Sequence, residues 1–196
     1  MKVKICGLKT EEHVNTAVAH GAEYLGFVFA ESKRQISPEK VKEITKAVPK
    51  RVKKVGVFVS PSRSEVEWIV RQARLDMVQI HGLLKAETFS VPLIRAIPVE
   101  GSTQEKLIQE TSTEYVLFDA PPQRFVGGNG QVFDWSRLDT NSIKNKKIII
   151  AGGLTSENVQ QAKQLFDPYA VDVSSGVETN GEKDLNKIIA FLKKAR

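Results

Sequence analysis

Two short turns in the C-terminal third, Ala151-Gly152-Gly153-Leu154 and Asp172-Val173-Ser174-Ser175-Gly176, each close an aliphatic run and lead toward a stretch with helical character. Glycine lets a backbone approach a ligand closely, and amides at a helix start face an anion. Gly152, Gly153, Ser175 and Gly176 therefore form a candidate cradle for a phosphate dianion. Other residues have the chemistry to act on what is held there. Cys6, followed by Gly7, ends an apolar run, and its thiol becomes a usable base near neutrality where a cation favours the thiolate. Asp119 follows Tyr115-Val116-Leu117-Phe118; an apolar setting raises a carboxyl pKa and keeps a proton available, as a general acid requires. Asp172 stands too near the proposed phosphate to face it, so it is read as an acceptor for an amine or hydroxyl of the ligand. Arg34, in the charged run Glu31-Ser32-Lys33-Arg34-Gln35-Ile36-Ser37, has the planar fork that grips a carboxylate through two hydrogen bonds. Singly, each has a plainer reading: a packed cysteine, a turn aspartate before prolines, a surface arginine. Together they describe a ligand that is anionic at both ends.

Such residues need a scaffold that brings them to one place. Apolar, β-rich runs occur at 3–6, 24–29, 55–59, 77–80, 93–96, 115–118, 148–150 and 170–173. Helical spacing fills most of the gaps, as in Val14/Ala17/Val18, Val41/Ile44/Val48, Val66/Ile69/Val70/Ala73, Val159/Ala162/Leu165/Phe166 and Leu185/Ile188/Ile189/Leu192. Ser37 before Pro38 suits an N-cap followed by the first helical position, and Gly21 sits where a glycine cap ends the first helix. Eight alternations favour a closed α/β barrel, a single (β/α)8 domain over residues 1–196, rather than an open sheet. The fourth and sixth units are short: 85–90 has room only for a short helix, and the stretch after Asp134-Trp135 for little more. In such barrels chemistry sits where strands end, and each candidate falls at or just after a strand end. By two-residue alternation Lys4 faces the same way as Cys6, one layer deeper, placed either to depress the thiol pKa or to pair with a buried acid. The glycine-rich loop 123–132 is placed to close over the mouth. His13 and His20 fall in the first helix, and His81 is expected to order its turn with Gln79, so no metal set is formed.

Bulk composition narrows the remaining classes. With 41% hydrophobic and 27% charged residues among 196, the chain reads as an ordinary globular domain. No apolar run approaches the ~20 residues of a membrane span. The start, Met1-Lys2-Val3-Lys4-Ile5-Cys6, reads as a strand rather than a signal peptide. One cysteine forms no intrachain disulfide, which suits a reducing cytoplasm. A net charge of +6 suits an acidic small molecule. Nucleic acid is disfavoured because the basic residues are scattered and never interleave with an aromatic platform. The lysine-rich helix faces lean toward a monomer.

Taken in order, Lys4-Ile5-Cys6-Gly7, Gly26-Phe27-Val28-Phe29, Ser32-Lys33-Arg34 with Ile36-Ser37-Pro38-Glu39, Val55-Gly56-Val57-Phe58-Val59, Val78-Gln79-Ile80-His81-Gly82, Gly127-Gly128-Asn129-Gly130 with Phe133-Asp134-Trp135, Gly152-Gly153-Leu154 and Val171-Asp172-Val173-Ser174-Ser175-Gly176-Val177-Glu178 resemble the phosphoribosylanthranilate isomerases of tryptophan biosynthesis. The likeness runs the whole length. It implies an Amadori rearrangement of N-(5-phosphoribosyl)anthranilate without metal or organic cofactor. Carried over by position, it implies Cys6 as general base and Asp119 as general acid. Arg34 would then hold the anthranilate carboxylate, Asp172 a group near the bridging amine, and Gly152, Gly153, Ser175 and Gly176 the phosphate. Ile80 and Asn129 depart from the pattern away from the acid and base, and the Asp119-Ala120-Pro121-Pro122 turn departs from it in a way that bears on loop closure rather than on the chemistry. A phosphoribosyl-imidazole isomerase would want an aspartate at position 6, a metal-dependent epimerase a set of histidines and acids, and an indole-forming barrel a lysine at the mouth. A non-catalytic phosphoribosyl-binding barrel would need neither Cys6 nor Asp119.

Overall fold

Strands buried on both faces read as near-continuous apolar runs, because helices cover one side and a filled barrel lies on the other. The computed structural model describes residues 1–86, 88–99, 111–119 and 145–196. Its barrel strands are β1 (Lys2–Cys6), β2 (Tyr24–Val28), β3 (Lys53–Val59), β4 (Met77–His81), β5 (Leu93–Pro98), β6 (Tyr115–Asp119), β7 (Lys147–Ala151) and β8 (Ala170–Val173). All neighbours pair in parallel in sequence order, and β8 returns to β1 to close the ring. The expected single (β/α)8 barrel is the observed fold.

Local signals set the helix ends. In α1 (Glu11–Ala19), Thr10 accepts from the His13 amide, and Glu11 and Glu12 occupy the first turn. It ends with Ala22 N–H on the Ala17 carbonyl and Gly21 N–H on that of Val18, the paired bonds of a glycine cap at Gly21. Ser37 and Pro38 open α2 (Pro38–Ile44) as expected. Val66, Ile69, Val70 and Ala73 form the buried face of α3 (Arg63–Ala73). Val159 and Ala162 do so in α4 (Val159–Phe166), whereas Leu165, at the edge of that stripe, is exposed. The closing helix, α5 (Leu185–Ala195), buries Ile188, Phe191, Leu192 and Ala195.

The short helix expected over 85–90 is not observed among the described residues, which between β4 and β5 form bends and irregular chain. Ser90 is instead tied to α3, its amide and hydroxyl both donating to the Glu67 carboxylate at 2.8 and 2.6 Å. The sixth helical unit and the 123–132 loop lie outside the described residues.

Apolar side chains form two layers. One lies between strands and helices, with Ile5, Leu25, Phe27, Val66 and Phe191 among its members; the other fills the barrel with Tyr24, Val55, Met77, Ile94, Leu117 and Ile149. Into that inner layer the chain inserts an ion pair. Lys4 on β1 stands beside Asp172 on β8 in the register that closes the barrel, with Nζ 2.8 Å from Oδ2 and both side chains buried. Of the two roles open to Lys4 from sequence, a buried pair with an acid is the one observed. Removing one partner leaves an uncompensated buried charge. Lys4→Met is expected to lower stability by about 3–5 kcal/mol in denaturant titration, and Lys4→Met with Asp172→Asn to recover more than half of it. A single variant with an unshifted midpoint would show that the pair contributes little.

Candidate active site

The C-terminal ends of the strands carry the site residues. β1 ends in Cys6, whose register partner on β2 is Gly26. A Cβ at position 26 would lie 2.8 Å from the Cys6 sulfur and 3.1 Å from Lys4 Nζ, so the volume a side chain would occupy is taken by the thiol and the ammonium. Burial pushes the Cys6 thiol up; Lys4 pulls it down and Asp172 pushes it up again, and the net direction is upward. Lys4 thus acts on the thiol in the expected sense, but burial outweighs it. Burial likewise pulls the Lys4 ammonium down, while Asp172 and the thiol outweigh that and hold it above the ordinary lysine range.

Asp119 is the last residue of β6, separated from β1 by β7 and β8. Burial first, and then the negative charge of Asp172, push its carboxyl up to about 6, against the pull of Lys4. The upward direction expected for a carboxyl in an apolar setting is the one observed. Asp172 uses only Oδ2 on Lys4; its Oδ1 is buried and has no hydrogen-bond partner among the described residues. That leaves an acceptor for a donor group of a ligand.

His81, the last residue of β4, meets Gln79 as expected, with Gln79 Nε2 2.8 Å from its Nε2. The ring's other nitrogen is Nδ1. That nitrogen lies 3.8 Å from Asp119 Oδ2, a neighbour the sequence reading did not anticipate. Burial and then Lys4 lower the imidazole to about 4, so it stands neutral beside the acid.

At the candidate phosphate cradle, Gly152 and Gly153 follow β7, both with positive φ, and Ser175–Val177 form one 3-10 turn after β8. Its first turn leaves the Ser175 and Gly176 amides without an intrahelical acceptor, the arrangement that receives anions. The two turns touch: a Cβ at Gly176 would lie 1.8 Å from the Leu154 carbonyl oxygen.

Arg34 lies in a loop that folds back on β2, through Ile36 N–H on the Val28 carbonyl and the Gln35 side chain on that of Phe29. Its guanidinium is engaged by a residue to which the sequence analysis assigned no role. Nε and Nη2 each stand 2.7 Å from a different oxygen of Glu178. Glu178 follows the 3-10 turn in a hairpin, β9 (Glu178–Thr179) and β10 (Glu182–Lys183), whose Asn180-Gly181 turn is a legible sequence signal. That the hairpin reaches Arg34 is not legible. Lys183 donates to Glu178 Oε1 and to the carbonyl of Ser174, whose hydroxyl bonds the Cys6 carbonyl at 3.3 Å. Among the described residues no group of three or more His, Cys, Asp or Glu is placed to hold a metal ion.

A closed parallel barrel with glycine-rich turns after its seventh and eighth strands, and an acid and a thiol at strand ends of one mouth, has the form of a phosphate-binding (β/α)8-barrel enzyme. Comparison with known proteins gives the family. The family model described as N-(5'phosphoribosyl)anthranilate (PRA) isomerase matches residues 3–194. A Streptococcus mutans N-(5'-phosphoribosyl)anthranilate isomerase is 50% identical, with all of this chain and 98% of that protein aligned. A Thermotoga maritima phosphoribosyl anthranilate isomerase structure superposes with a TM-score of 0.87 at 35% identity, covering all of this chain and 98% of that one. Another such isomerase, in complex with reduced 1-(o-carboxyphenylamino)-1-deoxyribulose 5-phosphate, gives 0.84 at 34% identity, with the same coverage. This chain belongs to the N-(5'-phosphoribosyl)anthranilate isomerase family.

The contact between the two glycine turns makes a prediction. Gly176→Ala is expected to force them apart and weaken affinity for inorganic phosphate by about tenfold or more, since each lost amide contact to an anion is worth about 1.5–3 kcal/mol. Calorimetric titration with phosphate checks this, and unchanged affinity would move the anion elsewhere.

Proposed function

We propose that this chain catalyses the Amadori rearrangement of N-(5-phosphoribosyl)anthranilate to 1-(2-carboxyphenylamino)-1-deoxy-D-ribulose 5-phosphate in tryptophan biosynthesis. The observation that carries the residue roles is the placement of Cys6 and Asp119 at strand ends of one barrel mouth, with Lys4 and Asp172 between and beneath them. The phosphate sits on Gly152, Gly153, Ser175 and Gly176, and the carboxylate of the anthranilate meets Arg34. Asp119 gives its proton to the furanose ring oxygen as the bond from that oxygen to C1 breaks, and nitrogen supplies the electron pair that forms the iminium. The Cys6 thiolate then takes the proton from C2, and the C2–H electrons form the C1–C2 double bond of an enolamine. Tautomerisation places a proton on C1 and removes the one on the C2 oxygen, leaving the ketone. Asp172 Oδ1 accepts from the bridging amine.

Residues 1–196 act as one catalytic domain in this reading, and the chain works as a monomer in the cytoplasm. Exposed lysines on α2 and α5 support the first of these last two assignments. Among the described residues no helix is long and apolar enough to cross a membrane.

Consumption of the fluorescent substrate tests the roles. Cys6→Ala and Asp119→Ala are each expected to lower kcat/KM by about 10²-fold or more with folding intact by circular dichroism. Active variants would overturn the assigned roles, and an inert parent that binds product would favour a non-catalytic barrel.

The pH profile gives a sharper test. Below about 6 Asp119 is protonated, and the rate follows the thiolate fraction, rising about tenfold per pH unit. Between about 6 and the raised thiol pKa, further gain of thiolate is cancelled by loss of the Asp119 proton, so kcat/KM is flat. Asp119→Asn has no carboxyl to titrate, and its residual kcat/KM is expected to keep rising across that interval. A plateau retained in Asp119→Asn would assign the limb near 6 to another group.

A further inference from the structure

Arg34 is held by more than its own loop. Its guanidinium forms a two-bond fork with Glu178, at 2.7 Å from Nε and 2.7 Å from Nη2. This pairing commits one edge of the guanidinium to the protein and leaves Nη1 without a hydrogen-bond partner among the described residues. The Glu178 side chain is only 7% exposed, and that of Lys183 behind it 2%, whereas Arg34 is 34% exposed. The two buried charges back the one that reaches the mouth. Burial alone would push the Glu178 carboxyl up, but Arg34 and Lys183 together hold it below the ordinary carboxylate range, so it stays an anion. Lys183 also donates to the carbonyl and hydroxyl of Ser174, next to the phosphate turn. The Asn180-Gly181 turn, with φ of 55° and 85°, folds Lys183 back beside Glu178 in a two-stranded ladder.

We propose that Glu178, braced by Lys183, is the positioning residue that orients Arg34 toward the substrate carboxylate, and so sets selectivity for N-aryl groups that carry one. A free arginine has several rotatable bonds and samples many directions at the mouth; a forked carboxylate on Nε and Nη2 leaves one guanidinium edge, in one plane, to face a ligand. The ligand carboxylate then meets a pre-oriented donor pair and spends little of its binding energy on ordering the side chain. The β9–β10 hairpin is the device that delivers this carboxylate from β8, the strand that also carries the phosphate turn. Both anion-holding ends of the site are thereby referred to one strand. The inference rests on the proposed contact between Arg34 and the anthranilate carboxylate.

The test is steady-state turnover of N-(5-phosphoribosyl)anthranilate, with calorimetric titration of inorganic phosphate, for the parent, Glu178→Gln, Arg34→Ala and the double variant. Glu178→Gln is expected to raise KM about 10-fold or more while kcat changes less than about threefold, and to leave phosphate affinity unchanged. In the Arg34→Ala background the same change should add little, because its effect passes through Arg34. Additive losses, an unchanged KM, or phosphate affinity falling in step with KM would each overturn the proposal while turnover by the parent upholds the isomerase reading. A parent without turnover would remove both. Should Glu178→Gln fail to fold, Glu178→Asp, which keeps the charge and shortens the reach, is expected to show the same split between KM and kcat, and a parental KM in that variant would equally overturn it.

Discussion

A single buried ion pair, Lys4 with Asp172, ties the barrel to its chemistry. The two residues are register partners across the β1–β8 seam. A slip of one residue there would turn Lys4 out of the barrel and Cys6 with it, since side chains alternate faces along a strand. Two charges in an apolar interior are tolerated only with good geometry and further polar contacts; the pair has 2.8 Å between ammonium and carboxylate and the Cys6 thiol on Lys4, while Asp172 Oδ1 has no hydrogen-bond partner among the described residues. The inner layer below it is apolar, with Tyr24, Val55, Met77, Ile94 and Leu117. The charges therefore stand at the boundary between a packed core and the mouth.

Around that centre the site is divided by strand. β1 and β6 end in the thiol and the carboxyl; β7 and β8 end in the glycine turns; the loop after β2 brings Arg34. β8 does the most joining. Its last turn packs Gly176 on the Leu154 carbonyl, its Ser174 hydroxyl bonds the Cys6 carbonyl, and its hairpin returns Glu178 to Arg34. A shift in β8 would move the candidate phosphate turn, the thiol and the arginine together, so one rigid strand end suits the alignment of the proposed substrate at both ends.

Strand order, barrel closure and the placement of Cys6, Asp119 and Asp172 at strand ends and of Arg34 in the loop after β2 were legible in the chain because periodicity and caps are local signals. The Ser37-Pro38 start and the Gly21 stop read directly off residue types. The irregular path between β4 and β5 was not legible, because the bonds from Ser90 to Glu67 span 23 residues and no local pattern announces them. Glu178 was visible only as part of a motif, and its pairing with Arg34 bridges 144 residues. Similarly, alternation put Lys4 beneath Cys6 but left its partner open, since only closure of the ring brings residue 172 beside residue 4.

The same ion pair bears on how the proposed acid and base start the reaction in the right states. In the proposed mechanism, ring opening needs a protonated Asp119, and abstraction at C2 needs a Cys6 thiolate. Yet with Asp119 at about 6 and the thiol above its ordinary value, the free site near neutrality holds the opposite arrangement, carboxylate and thiol. The productive state is a minority set by the gap between the two pKa values, and over the interval between them its population does not depend on pH. Anything that lowers the thiol or raises the carboxyl enlarges it. At Cys6 the charge with the larger effect is Lys4, which lowers the thiol; at Asp119 it is Asp172, which raises the carboxyl. The cation thus weighs more on the thiol and the anion more on the carboxyl, and each narrows the gap. A neutral pair of the same shape could still close the seam between β1 and β8, but it would leave the thiol to the full effect of burial and the carboxyl closer to its ordinary value.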